Sequence, residues 1–127
     1  MAISTLKNFV IAWCDTRGIY GKRYDSLGVA QGSAFKVSVS SDIDWCDIDT
    51  DSIGNILVCW EQNSAIFGQR YDIGGTAIDV NFRVPNDTNI QDQEIPAIAG
   101  YDENNYLFAW HDILNSTTKC NTGNFEG

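Results

Sequence analysis

Phe9-Val10-Ile11-Ala12-Trp13, Ile56-Leu57-Val58-Cys59-Trp60 and Tyr106-Leu107-Phe108-Ala109-Trp110 are three versions of one segment. They stand 47 residues apart at Trp13 and Trp60, and 50 apart at Trp60 and Trp110. A fixed period of this length marks a repeat architecture, in which each unit buries its apolar surface against a neighbour. Every position is apolar, with many β-branched and aromatic residues, so the segment reads as a strand covered on both faces.

Working outward, Ile19-Tyr20-Gly21-Lys22-Arg23-Tyr24-Asp25 matches Ile66-Phe67-Gly68-Gln69-Arg70-Tyr71-Asp72 at the same offset of 47. Gly28 then matches Gly75, Ala30 matches Ala77, Phe35 matches Phe82 and Val37 matches Val84. Between residues 9–40 and 56–87, 10 of 32 positions are identical without a gap, which points to duplication. In the strand from Ile19, the side chains of Tyr20, Lys22 and Tyr24 share one face, whose rings recur as Phe67 and Tyr71. Asp25-Ser26-Leu27-Gly28 and Asp72-Ile73-Gly74-Gly75 supply the Asp and Gly that a chain reversal needs. Short strands follow at Phe35 to Val39 and Ile43 to Ile48, the latter matched by Ile95 to Ala99. No stretch keeps a helical period, so the chain is expected to be all-β.

Four strands in 40 to 50 residues suit a β-propeller blade, whose sheets stack face to face about an axis. A β-sandwich or small barrel is the alternative, although its hydrophobic-in, polar-out alternation is less evident here. The chain divides as a single domain, 1–127, of about two and a half repeats: 9–55, 56–105 and a partial 106–127.

The pattern Trp13-x-Asp15-x-Arg17, Ile19-Tyr20-Gly21-Lys22-Arg23-Tyr24-Asp25, Gly28 and Phe35 resembles the roughly 47-residue repeat found in arrays in large bacterial surface and secreted proteins with propeller-like modules. The resemblance spans about residues 9 to 112. The second copy departs from it at Trp60-Glu61-Gln62-Asn63-Ser64, and the third has Ile113-Leu114 after Trp110-His111-Asp112, with no Arg-Tyr-Asp block. The resemblance implies scaffolding or recognition and supplies no active site.

Rings of blades use at least about four, so two and a half cannot close alone. Open faces and bare strand edges invite association, so a homo-oligomer, dimer or trimer, is expected; a fragment of a longer array is the other reading. Met1 and the polar tail from Asn115 to Gly127 fit a complete small reading frame.

The chain has 127 residues, enough for one core. Seventeen Asp and Glu against eight Lys and Arg leave a net charge of −9, which disfavours nucleic acid and anionic membrane as partners. No apolar run approaches the ~20 residues of a membrane helix, and Phe9 to Cys14 is too short for a signal-peptide core. The composition therefore predicts a soluble chain and leaves its compartment open. Cys14, Cys46, Cys59 and Cys120 lack zinc or redox spacing and read as free, mostly buried thiols. Sequons at Asn86 and Asn115 would matter only in a eukaryotic secreted protein.

Several residues are candidates for chemistry. Asp42, Asp44, Asp47, Asp49 and Asp51 crowd ten positions. Asp47-x-Asp49-x-Asp51 starts like a calcium loop, but Ser52 and Val58 stand where an EF-hand needs Gly and Glu. The other reading is an acidic hairpin that deters edge pairing. His111, the single histidine, suggests a Cys-His pair, yet the repeat alignment holds His111, Glu61 and Cys14 a blade apart, beyond the ~3 Å that proton transfer requires. Arg23 with Tyr24, and Arg70 with Tyr71, form a repeated Arg-aromatic-carboxylate set that suits a glycan or acidic ligand; the structural reading is an Arg that ties a sheet edge. Trp45 has no repeat partner and is a candidate ligand platform, while Trp13, Trp60 and Trp110 are expected in the core between blades. Three functions remain open: a non-enzymatic module binding multivalently, with a glycan as one ligand class; a carbohydrate-directed hydrolase using the acidic residues; and a purely structural interaction protein.

Overall fold

The computed structural model describes residues 1–3, 8–38, 40, 42–84, 93–113 and 117–124, and Asn86 and Asn115 lie outside them. Eleven strands follow in chain order: β1 (Ala2–Ile3), β2 (Phe9–Asp15), β3 (Gly18–Tyr24), β4 (Phe35–Ser38), β5 (Ile43–Thr50), β6 (Ile56–Gln62), β7 (Ala65–Tyr71), β8 (Ala77–Arg83), β9 (Gln93–Asp102), β10 (Asn105–Asp112) and β11 (Thr117–Asn124). The fold is all-β. Among the described residues no helix is long and apolar enough to cross a membrane.

The strands form three antiparallel sheets: β1-β2-β3-β4, β5-β6-β7-β8 and β9-β10-β11. Within each sheet, spatial order equals chain order, and no sheet closes into a barrel, which removes the small-barrel alternative. Each sheet begins one strand upstream of its Trp strand, so the sheets are phased differently from the repeats counted from Trp13.

Repeated residues explain the repeated geometry. Asp25, Asp51 and Asp72 each open a five-residue turn of the form Asp-x-x-Gly-x, with Gly28, Gly54 and Gly75 at positive φ (81°, 92° and 84°). In all three the Asp carboxylate accepts the backbone N–H of the fifth residue, at 2.8–2.9 Å from Val29, Asn55 and Thr76. That Asx bond offers the turn a partner a non-polar residue would lack. The match of Gly21 with Gly68 and of Phe35 with Phe82 has one cause: Gly21 pairs with Phe35 and Gly68 with Phe82 across the sheets. The ring covers the glycine so closely that a Cβ would fall 2.4 Å and 2.7 Å from it.

The second sheet lies between the other two. Ile56, Val58 and Trp60 of β6 pack with Val10, Ile19 and Val37 of the first sheet. Leu57 and Cys59, pointing the opposite way, pack with Tyr106, Phe108 and Trp110 of the third. Every residue from Ile56 to Glu61 is buried, as its unbroken apolar run implies. Each large apolar side chain so enclosed contributes about 1.5–3 kcal/mol.

The structure corrects one core assignment. Trp60 and Trp110 are buried, but Trp13 is 38% exposed. Each Trp faces the sheet preceding its own, and the first sheet has none before it among the described residues. Trp45, at 54% exposure, also stands outside the core. Of the thiols, Cys59 is buried, Cys46 half-buried and Cys14 exposed, and all three are free; Cys120 lies outside the described side chains.

Leu57, fully enclosed in β6, and Leu27, on the tip of the first Asp-x-x-Gly turn, give a direct comparison. Leu57→Ala should cost about 2–5 kcal/mol, and Leu27→Ala less than about 0.5 kcal/mol, in urea unfolding followed by circular dichroism.

Candidate functional site

Two places gather the polar residues singled out by the sequence: a cleft at the rim between the first and second sheets, and the seam between the second and third. The cleft is lined by Phe9, Arg23, Tyr24, Gln31, Thr50 and Ile73, among others. It forms where β2 starts, β3 ends and the β5–β6 and β7–β8 turns lie alongside. Arg23 points across the gap from β3, and its Nη1 donates to the Ile73 carbonyl at 3.0 Å. The guanidinium can lie on that turn because residue 75 is Gly; a Cβ there would sit 2.8 Å from Nε. Tyr24 takes the opposite face and stacks on Phe9, with ring centroids 5.0 Å apart. The Gln31 side-chain amide donates to Asp25 Oδ2 and the Val29 carbonyl, both at 3.2 Å.

The space inside the cleft is about 50 Å³, against the ~150 Å³ that holds a benzene-sized ring. A ligand would insert an edge or a single group and keep the remainder outside. Arg23 supplies N–H donors, Gln31, whose amide N–H groups are engaged, leaves its side-chain carbonyl as an acceptor, and the Phe9–Tyr24 stack borders the cleft from the opposite face of the sheet. None of the described lining residues carries a carboxylate or imidazole.

The repeat-equivalent pair differs. Arg70 is buried and its Nη2 meets Asp79 Oδ2 of the neighbouring strand at 3.2 Å. Tyr71 is buried against Phe35, centroids 4.8 Å apart, and burial pushes its hydroxyl pKa up to about 12. The structure thus brings Arg23 and Tyr24 to an open rim and closes Arg70 and Tyr71 into seams. Trp45 stands near the start of β5, whereas Thr50 and Gly54 bring the other end of that strand to the cleft.

At the second seam, Asp47 and Asp49 of β5 and Asp51, just after it, face the third sheet. Asp47 Oδ2 accepts the Ile98 N–H at 2.9 Å and Asp49 Oδ2 the Gly100 N–H at 2.7 Å. Asp51 Oδ2 accepts the Asn104 N–H at 3.1 Å, while its Oδ1 holds the turn through Ile53 and Asn55. β9 is an edge strand, and these carboxylates satisfy the amides along its open side. Asp47 and Asp49 on the strand and Asp51 in the turn after it therefore each hold a different backbone amide, and no group of three metal-ligating side chains converges among the described residues. Gly100 permits the approach, since a Cβ there would lie 2.3 Å from the Thr50 carbonyl oxygen. Tyr106 hydrogen-bonds Asp51 from the third sheet, and burial first, then that carboxylate, raises its pKa.

Glu61 is buried on the same side of β6, and its Oε2 accepts the Ile95 N–H at 3.4 Å. Burial raises its carboxyl pKa, the Ile95 amide offsets part of the shift, and Glu94 and Asp44 add to it. His111 lies on the outer side of the third sheet, with the second sheet between it and Cys14. Cys46 is pushed up to about 12 by burial, by the adjacent Cys14 thiol and by Asp47. The signal for the Asp51 turn was present in the sequence, since Asp51-Ser52-Ile53-Gly54 repeats the Asp-x-x-Gly form; nothing local marked Asp47 and Asp49 as partners of a strand some fifty positions away.

No family model, curated protein or solved structure matches this chain.

Two substitutions report on the second seam. Asp49→Ala leaves the Gly100 amide without its acceptor and should cost about 1–3 kcal/mol in denaturant titration, whereas Asp42→Ala, outside the seam contacts, should change little. Glu61 works in the reverse sense: its folded pKa lies above the ordinary 4.5, so its protonated form favours the folded state and stability is lost as pH rises from 4.5 through the folded value. Glu61→Gln should therefore melt higher than the parent at neutral pH, with the gap closing below about pH 4.5, as read by thermal scans across pH.

Proposed function

We propose that the three sheets are blades of a propeller-like repeat, and that the chain is a non-enzymatic recognition and assembly module working as a homo-oligomer. One observation carries this reading: among the described residues the second sheet is covered on both faces, while the outer faces of the first and third lie open though built from equivalent positions of the same repeat. Ile3 is 61% exposed and Trp13 38%, on the side of the first sheet that faces away from the second. Soluble domains seldom leave such contiguous apolar surface without a partner.

Within one chain the two Arg-Tyr sets are unequal, so multivalency would come from copies of the chain, each presenting one rim cleft around Arg23 and Tyr24. Weak sites at fixed spacing gain apparent affinity through effective concentration. A glycan suits the rim, because a sugar inserting an edge offers hydroxyls to Arg23 and to the Gln31 carbonyl, and the part left outside meets the aromatic border that Phe9 and Tyr24 form beside it. Of the acidic residues proposed for a hydrolase, Asp47, Asp49 and Asp51 are engaged with backbone amides, and no observation favours that reading.

Light scattering on a size-exclusion column is the test. A mass of two or three chains at micromolar concentration, with retention on an immobilised glycan that free monosaccharide competes poorly, is the expected result. A folded monomer at that concentration would overturn the assembly reading.

A further inference from the structure

We infer that the outer face of the first sheet docks on the outer face of the third sheet of a second copy, so that two chains close head to tail. This rests on the self-association reading and specifies its faces, polarity and number.

The inner seams show what each face fits. At the first seam the second sheet presents Trp60 stacked on Phe67, centroids 6.1 Å apart, with Arg83 6.0 Å from the Phe67 centroid. The first sheet repeats that arrangement on its open side. Trp13 stacks on Tyr20 at 5.9 Å, and Lys36 lies 5.4 Å from the Tyr20 centroid. Residue by residue, Trp13, Tyr20 and Lys36 stand 47 positions before Trp60, Phe67 and Arg83. An aromatic surface that is buried at one seam is thus exposed on the first sheet.

The surface that receives such a face is also repeated. The Trp60 face meets Val10 and Ala12 of β2, and the Trp110 face meets Leu57 and Cys59 of β6. A branched residue followed two places later by a small one leaves room for the rings. In β10 the equivalent positions are Leu107 and Ala109, on the side away from the second sheet, with Leu107 38% exposed. Ala97 and Ala99 of β9 pair with Ala109 and Leu107 and widen this flat area. The third sheet therefore carries an open receiving face and the first sheet an open inserting face among the described residues.

Charge selects the same pairing. Lys22 and Lys36 belong to the first sheet's open side, with Arg17, ion-paired to Asp15, at its rim, while Glu94 and Asp102 pair with His111 and Asn105 of the third sheet and Glu103 stands in the turn beyond. Opposite signs meet if first docks on third; docking the first on itself would oppose like charges and press rings against rings. Two copies of three sheets make six, within the roughly four to eight blades that rings use, and three copies would exceed it. A dimer with two identical seams follows.

Two variants test the assignment, because a head-to-tail contact has separable halves. Trp13→Asp spoils the inserting face and Ala109→Arg the receiving face. The parent should scatter as twice the 14.1 kDa chain, and each variant alone as a folded monomer by circular dichroism. An equimolar mixture should return to the two-chain mass through its one intact seam, weaker than the parent by at least tenfold in dissociation constant. If either variant unfolds, Lys22→Glu with Lys36→Glu, which leaves the packed side untouched, replaces it and should weaken the dimer at low salt. An oligomer that survives Ala109→Arg but not Trp13→Asp, or a mixture that stays monomeric, overturns the pairing of first on third while self-association stands. A parent monomer sinks both.

Discussion

The amides along the open side of β9 set the terms for the whole assembly of sheets. An edge strand leaves N–H groups that must find acceptors or water once a neighbour approaches. Here the neighbour brings its own acceptors, because Asp47 and Asp49 point from β5 at Ile98 and Gly100. Carboxylates accept amide hydrogens more strongly than neutral groups do, so the two sheets can come into backbone contact at Gly100 with the Ile98 and Gly100 amides satisfied. Once that approach is allowed, the apolar layer behind it closes: Leu57, Cys59, Phe108 and Trp110 fill the same seam. The acidic excess of the chain is in this sense partly internal, spent on joining sheets as well as on meeting solvent.

Much of the architecture was legible because duplication makes the sequence its own alignment. Trp60 and Trp110, the Gly68–Phe82 contact and the turns at Asp25 and Asp72 follow from matched positions. The same duplication misled at Trp13, since matched residues imply matched surroundings and, among the described residues, none encloses the first unit as the others are enclosed. β11 was not legible: Thr117-Thr118-Lys119-Cys120-Asn121-Thr122-Gly123-Asn124 is polar and has little strand character. It pairs with β10 across eight consecutive positions, held by an edge that only tertiary structure provides.

The candidate sites were legible to a lesser degree. Arg23 and Tyr24 do reach a common rim, yet their copies Arg70 and Tyr71 are enclosed, a difference that arises from position in the stack and not from the residues. Asp47-x-Asp49-x-Asp51 carries a spacing that suits a cation in a loop. On an extended strand the same spacing lines the carboxylates along one face, each opposite a different amide, and whether the backbone loops or extends is decided by the sheets around it.

Strand order that matches chain order has a kinetic consequence. Every pairing within a sheet joins neighbours in sequence, so each meander can form from short hairpins without a long loop closure. The seams come later and bring together residues some fifty positions apart, as Asp49 and Gly100 do. Such a chain behaves nearly as a one-dimensional array in which each unit leans only on the next. The second sheet, with a neighbour on both sides, would be the last to open, and exchange of its amide hydrogens would be slowest there, quickening toward both ends.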